Sequence, residues 1–215
     1  DATGYGLAGA LNVSTSNGDF NQFQGFAGND VITGNGNTQI AYFSATGAVN
    51  VNLSTGIATG DGSVGTDTIT GGVNSVQGSN FGDTITGSSA NDFLSGNGGN
   101  DIINGASGND SLSGGAGADT FVYATGGGAD FVNDFNRGQG DRVDLTGLAG
   151  IYGLADIQSR ASQQGSNTFI DFGGNSITLA NVTVGSLVAS DFVFAVNSAP
   201  TDIGLSNTSV AENSA

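Results

Sequence analysis

From Gly78 to Val122 the chain divides without gaps into five nine-residue units: GSNFGDTIT, GSSANDFLS, GNGGNDIIN, GASGNDSLS and GGAGADTFV. Each unit starts with Gly and has Asp at position six, giving Asp83, Asp92, Asp101, Asp110 and Asp119. Position eight is always apolar: Ile85, Leu94, Ile103, Leu112 and Phe121. Six turn residues followed by three strand residues cannot form a helix. A three-residue strand points one large side chain inward and its neighbours outward, because the side-chain period is two. One such strand buries almost nothing alone, so successive units must stack and share a core. Two units, eighteen residues, make one coil of a flattened parallel β-solenoid with turns on both edges.

Two further units lie upstream, Gly25–Thr33 with Asp30 and Gly62–Thr70 with Asp67. The segments between them, Gly34–Gly60 and Gly71–Gln77, keep β-type residues but lose the Asp. Tyr42–Phe43 and the alternating Val49, Val51 and Leu53 read as longer strands.

An Asp-rich chain with hardly any Glu asks for a reason. Of 19 acids, 18 are Asp and one is Glu212, against three basic residues, Arg137, Arg142 and Arg160, for a net charge of −16. Disorder would need low hydrophobicity and high charge. Here charged residues are 10% and Phe numbers 13, so a core can be buried. The absence of Cys and His excludes disulfides, thiol chemistry, a Cys/His zinc site and a histidine base. The negative charge opposes nucleic acid and anionic membranes, and no apolar run is long enough for membrane insertion. The missing initiator Met reads as a fragment or a processed chain, and its N-terminus carries no secretion signal.

In a solenoid of eighteen residues per coil, Asp83, Asp101 and Asp119 share one edge, and Asp92 and Asp110 the other. Asp67 is expected on the edge of Asp83, across a half-coil shortened to Gly71–Gln77, and Asp130 after Asp110 across a longer turn. Stacked carboxylates repel unless a cation lies between them, and the repeat region contains no Arg or Lys. Each gap offers two carboxylates plus backbone carbonyls of two glycine turns, around Gly96, Gly99, Gly105, Gly108, Gly114 and Gly117. That all-oxygen cage suits several Ca²⁺ ions at roughly 2.3–2.6 Å better than Mg²⁺, which demands tighter octahedral geometry. Asp30 is a weaker candidate, because Ala48 stands eighteen residues on; it is either a ligand or a turn former. Asp19 and Asp61 read as solvated turn residues.

The units resemble the glycine-rich nonapeptide repeat G-G-x-G-x-D-x-U-x of the repeats-in-toxin (RTX) family, a calcium-binding β-helix repeat. The match is close in the last three units and looser in the first two, where Phe81 and Ala90 replace the Gly at position four. The resemblance implies export by type I secretion and folding on calcium outside the cell. From Gly114 the chain also resembles the end-of-roll segment of serralysin-type secreted proteins, through D-x-F-x-F, D-x-x-x-D-F and D-x-x-D-L. Asp119, Asp130, Asp134, Asp141 and Asp144 match its acids, some of which complete the last calcium sites in that family. Asp130 is favoured over Asp134; Asp141 and Asp144 are either ligands or turn caps beside Arg142.

The expected architecture is therefore all-β: a calcium-stabilised parallel β-roll, degenerate over 1–77 and regular over 78–145, with a small capping segment over 146–196. Leu154, Ile157 and Ala161 predict a short capping helix stopped by Gly165. Thr168–Phe172 and Ser176–Leu179 predict a hairpin across Gly173–Gly174, and Asp191–Val196 a closing strand. Residues 197–215 read as a linker with the only Pro, then a segment (TDIGLSNTSVAENSA) that resembles the first strand of a bacterial cadherin-like domain, with Glu212 as an incomplete interdomain ligand.

The function expected is a non-catalytic, calcium-binding structural module of a large secreted surface protein, such as an adhesin, biofilm matrix or extracellular fibre component. Its partners would be calcium, neighbouring domains of the same chain, and other copies through self-association. The alternative is the C-terminal secretion and folding module of an exported hydrolase or toxin. Ice binding through Thr68, Thr70, Thr84 and Thr86 is disfavoured, because later units break the threonine array with Phe93, Ile102 and Asn104.

Overall fold

The computed structural model describes residues 10–12, 20–25 and 27–196. The strands, in chain order, are β1 (Ala10–Asn12), β2 (Asn21–Gln24), β3 (Val31–Ala41), β4 (Asn50–Asn52), β5 (Ile57–Thr59) and β6 (Thr66–Gln77). They continue with β7 (Thr84–Thr86), β8 (Phe93–Gly98), β9 (Ile102–Asn104), β10 (Ser111–Ala116), β11 (Thr120–Ala124), β12 (Ala129–Val132) and β13 (Arg142–Gly147). The C-terminal part adds α1 (Leu154–Gln158), β14 (Ala161–Gln164), β15 (Asn167–Asp171), β16 (Ser176–Leu179) and β17 (Phe192–Val193).

The repeats wind into a parallel β-roll with two facing sheets. On one face β7, β9, β11, β13 and β17 stack in parallel, setting Ile85, Ile103, Phe121, Val143 and Phe192 in one column. On the other, β8, β10, β12 and β16 set Leu94, Leu112, Val132 and Leu179 in a second column. The position-eight residues of the five units are at most 1% exposed. Each contributes about 1.5–3 kcal/mol by leaving water. Their strand neighbours turn outward, which is why each three-residue strand supplies only one core residue.

The N-terminal coils depart from the expected order. Asp67 does not stack on Asp83. A hairpin of β4 and β5 is spliced between them: β5 pairs antiparallel with β6, β4 antiparallel with β5, and β4 parallel with β7. Only Asn50–Asn52 is strand in the stretch expected to be longer, and Tyr42 and Phe43 lie in a turn. The Gly71–Gln77 half-coil is present, as expected, as the end of β6 on the second face, where Val76 stacks on Leu94. Excising the hairpin brings Asp30 beside Asp67, so the partner missing eighteen residues on is supplied 37 residues on.

In the cap, the helix ends at Gln158 instead of reaching Ala161, and buries only Ile157. Ala161–Gln164 form a strand in an antiparallel meander β14–β15–β16. Gly165, at φ 62°, serves the β14–β15 turn rather than a helix stop, while Gly173 and Gly174 turn the expected hairpin. The closing strand is short, Phe192–Val193, paired to β13. Residues 197–215, with Glu212, and Asp19 lie outside the described residues.

The cap is clasped to the last turn of the roll by Arg137. Its Nε and Nη2 donate to Asp191 Oδ1 and Oδ2 at 2.5 and 2.6 Å, and Asp191 is fully buried. Removing the cation strands a buried carboxylate. Arg137→Met is expected to lower the stability of the calcium-loaded protein by about 1–3 kcal/mol, discounted because the guanidinium is partly exposed. Adding Asp191→Asn should recover part of that loss. Thermal melts of the single and double variants check it, and a double variant no better than the single would contradict the clasp.

Candidate calcium-binding edges

Each turn places its Asp carboxylate inside the edge of the roll, next to the turn one coil before. Asp83 N–H donates to Asp101 Oδ1 at 2.7 Å, and Asp101 N–H to Asp119 Oδ1 at 2.9 Å. On the other edge Asp92 N–H donates to Asp110 Oδ1 at 2.8 Å, and Asp110 N–H to Asp130 Oδ1 at 3.0 Å. The ladder therefore brings together Asp83, Asp101 and Asp119, and Asp92, Asp110 and Asp130. It also joins Asp30 to Asp67, through Asp30 N–H on Asp67 Oδ1 at 3.0 Å.

In Asp101, Asp110 and Asp119 the ladder anchors Oδ1, and the other oxygen is the chemically interesting one; Asp92 is instead held at Oδ2 by Ser88 N–H and Oγ, which leaves its Oδ1. Asp101, Asp110 and Asp119 Oδ2, and Asp92 Oδ1, are buried and receive no hydrogen bond from any described protein group. A buried charged oxygen without a donor costs several kcal/mol unless a cation neutralises it. The glycines show why space is left there. A Cβ on Gly96 would collide with Asp101 Oδ2 and come within 2.7 Å of the Gly114 carbonyl oxygen. A Cβ on Gly105, on the other edge, would collide with Asp110 Oδ2, and one on Gly114 with Asp119 Oδ2. A carboxylate oxygen and a carbonyl oxygen of the next turn thus border one point, the hard-oxygen donor set Ca²⁺ takes. No three acidic side chains converge on one point among the described residues. Carbonyls of the turns must complete the set, and the residues present fit the ion.

Burial raises these carboxylates: Asp101 and Asp130 to about 7, Asp110 and Asp67 to about 6, and Asp83, Asp92, Asp119 and Asp141 in the same direction. A folded value raised above the ordinary 3.8 means that protonation favours the metal-free fold. That contribution is fully present below about 4 and is lost as pH rises through about 7. In chelator, the far-UV β-signal is expected to be stronger at pH 5 than at pH 8. In calcium the order reverses, because binding needs ionised carboxylates. An identical pH response with and without calcium would exclude the carboxylate gaps as the binding sites.

Other acids are differently placed. Asp141 continues the first ladder: its Oδ1 accepts Asp119 N–H at 3.0 Å and its Oδ2 accepts Asn136 N–H at 2.8 Å. Asp134 caps the last glycine turn, accepting from Ser113 Oγ, Gly114 N–H and Gly115 N–H. Asp144 lies within β13, where its Oδ1 accepts Thr146 N–H and Oγ1, so it caps no turn. Asp61 is an exposed turn residue held by Ser63 and Thr46, as expected. In the first unit Asp83 Oδ1 accepts Val49 N–H at 2.8 Å and its Oδ2 accepts Ser79 N–H; in the second, Asp92 Oδ2 accepts Ser88 N–H.

A further ladder escaped the sequence reading. The amide oxygens of Asn29, Asn91, Asn100 and Asn109, all at position five, accept N–H groups of Thr66, Asn109, Ala118 and Ala129 on the next coil. The signal was the Asn repeated before Asp, and it lines the outside of the same gaps.

No helix among the described residues is long and apolar enough to cross a membrane. The sequence matches the RTX calcium-binding nonapeptide repeat family over residues 15–38, 77–112 and 102–132. No curated protein matches the chain. Among solved structures, the chain is similar to the AlgE6R3 subunit of the Azotobacter vinelandii mannuronan C5-epimerase, at 30% identity and TM-score 0.45, over 63% of this chain and 86% of that one. It is also similar to the extracellular lipase LipA of Serratia marcescens, at 17% identity and TM-score 0.39, over 87% of this chain and 38% of the lipase. The family match falls on the coils whose edges carry the donor-less carboxylates. The chain carries RTX calcium-binding nonapeptide repeats, and the β-roll they build binds calcium.

Proposed function

We propose that this calcium-binding roll is a non-catalytic structural module of a large exported surface protein, with calcium held between Asp83, Asp101 and Asp119 on one edge and between Asp92, Asp110 and Asp130 on the other. The observation that carries the calcium assignment is the set of buried carboxylate oxygens left without a donor at Asp92, Asp101, Asp110 and Asp119. The repeated Asp are all absorbed by this lattice, which leaves them a structural rather than a chemical task. Calcium-poor conditions inside a cell would keep the repeats loose for export. Calcium outside would convert binding free energy into folding free energy. The resemblance of residues 201–215 to the start of a cadherin-like domain supports placement in a longer surface protein.

Limited proteolysis of the full-length protein on intact cells tests this role. In calcium, cleavage between residues 78 and 132 should be suppressed. In chelator, cleavage there should release the distal part of the protein from the cell. A full-length protein found only unattached in the medium would overturn the surface role.

A further inference from the structure

The repeat register assigns Tyr42 an unexpected place. Gly25 N–H donates to the Ala41 carbonyl, Tyr42 N–H to the Gln77 carbonyl, and Gly78 N–H to the Ser95 carbonyl. Gly25, Tyr42 and Gly78 are therefore the position-one residues of consecutive layers along one edge. In the regular units that position is Gly because the Asp carboxylate of the same unit lies against its Cα, as Asp101 does at Gly96 and Asp119 at Gly114. At Tyr42 a ring stands instead. It lies over the Gly25 turn, where a Cβ on Gly25 would meet Cδ1 at 2.9 Å and Cζ at 3.2 Å. Tyr42 is fully buried, and its hydroxyl donates to Asp67 Oδ2 at 3.0 Å. Asp67 Oδ1 is taken by Asp30 N–H. Both oxygens of the fully buried Asp67 thus have protein donors, whereas Asp101, Asp110 and Asp119 each keep an Oδ2 without one; Asp83 also has donors on both oxygens, Val49 N–H and Ser79 N–H, so the donor-less oxygen of the Asp83–Asp101 gap is Asp101 Oδ2.

The other edge changes in the same direction. Val76 pairs with Leu94, which puts Asn74 in the column of Asp92. Asn74 Oδ1 accepts Thr38 N–H at 3.1 Å. A neutral amide keeps the ladder bond without adding a second charge to be neutralised.

We propose that Tyr42 takes the place of a calcium ion in the Asp30–Asp67 gap, so that the coils from Asn21 to Gln77 form a metal-free staple on which the calcium-dependent coils stack. The phenol supplies the donor that Asp67 needs, and its ring supplies the bulk that fills the gap. In a solenoid each coil is stabilised mainly by its neighbours, so a coil folded without metal gives the next one a template. This inference rests on calcium filling the regular gaps, yet the two fail separately.

Hydrogen exchange in excess chelator decides it. Amides of residues 31–41 and 66–77 should remain protected while those of residues 93–122 exchange. Tyr42→Phe keeps the ring but drops the donor, and should reduce that protection by about tenfold. Tyr42→Phe and Asp67→Asn should both leave the number of bound calcium ions unchanged in equilibrium dialysis with calcium alone, whereas Asp110→Asn should lower it. Loss of ions in Asp67→Asn, or equal exchange of both regions in chelator, would overturn the staple. If the wild-type protein took up no calcium, the functional reading would fall, and the exchange pattern would still decide the staple.

Discussion

Excess chelator is expected to strip the β-structure from residues 78–145 while calcium restores it fully. The magnitudes favour a large effect. Four regular gaps are bounded by the ladder pairs Asp83–Asp101, Asp101–Asp119, Asp92–Asp110 and Asp110–Asp130. An ion present at a hundredfold above its dissociation constant stabilises by about 2.7 kcal/mol, so four sites contribute about 11 kcal/mol. Domains of this size are stable by about 5–15 kcal/mol in total. Without the ions the same gaps turn from favourable to unfavourable, because ionised carboxylates are left buried. Far-UV circular dichroism and hydrogen exchange over residues 78–145 measure this directly. A regular roll that keeps its β-signal and its amide protection in chelator at pH 8 would refute calcium-driven folding.

Gly117→Ala is expected to be the most damaging single-methyl change in the repeats, at about 3–5 kcal/mol in the calcium-loaded protein. Two effects add at this position. The residue has φ 136°, a conformation that side chains resist, and its Cβ would collide with the Gly99 carbonyl one coil earlier. Backbone cannot swing aside as a side-chain tip would, so the coils must separate and the adjoining cation gap widens. Gly62→Ala is the control: it has open space around it and an ordinary φ, and should change stability by less than about 0.5 kcal/mol. Chemical denaturation in calcium compares the two. Equal midpoints would mean that close backbone stacking at position four does not hold the coils together.

Much of the roll was legible because its determinants are local and periodic. Position eight named the two core columns, and position six named the edges, since each strand is too short to hide an exception. The Arg137–Asp191 clasp was not legible, because 54 residues separate partners that only the cap geometry brings together. The capping helix is shorter than its sequence pattern for a related reason. Leu154, Ile157 and Ala161 fit a helical period, but pairing to β15 draws Ala161 into a strand.

The acidic side chains show the same division. By itself the nine-residue register determined a parallel β-roll, its core, and stacked edge carboxylates at Asp83, Asp92, Asp101, Asp110 and Asp119, with Asp130 following across a longer turn. Only the tertiary structure decided that Asp30 meets Asp67, that a hairpin separates Asp67 from Asp83, and that Tyr42 stands where a repeat glycine would. The physical reason is that stacking follows layers, not sequence separation. Where every coil has eighteen residues the two coincide, and where a hairpin is spliced in they part.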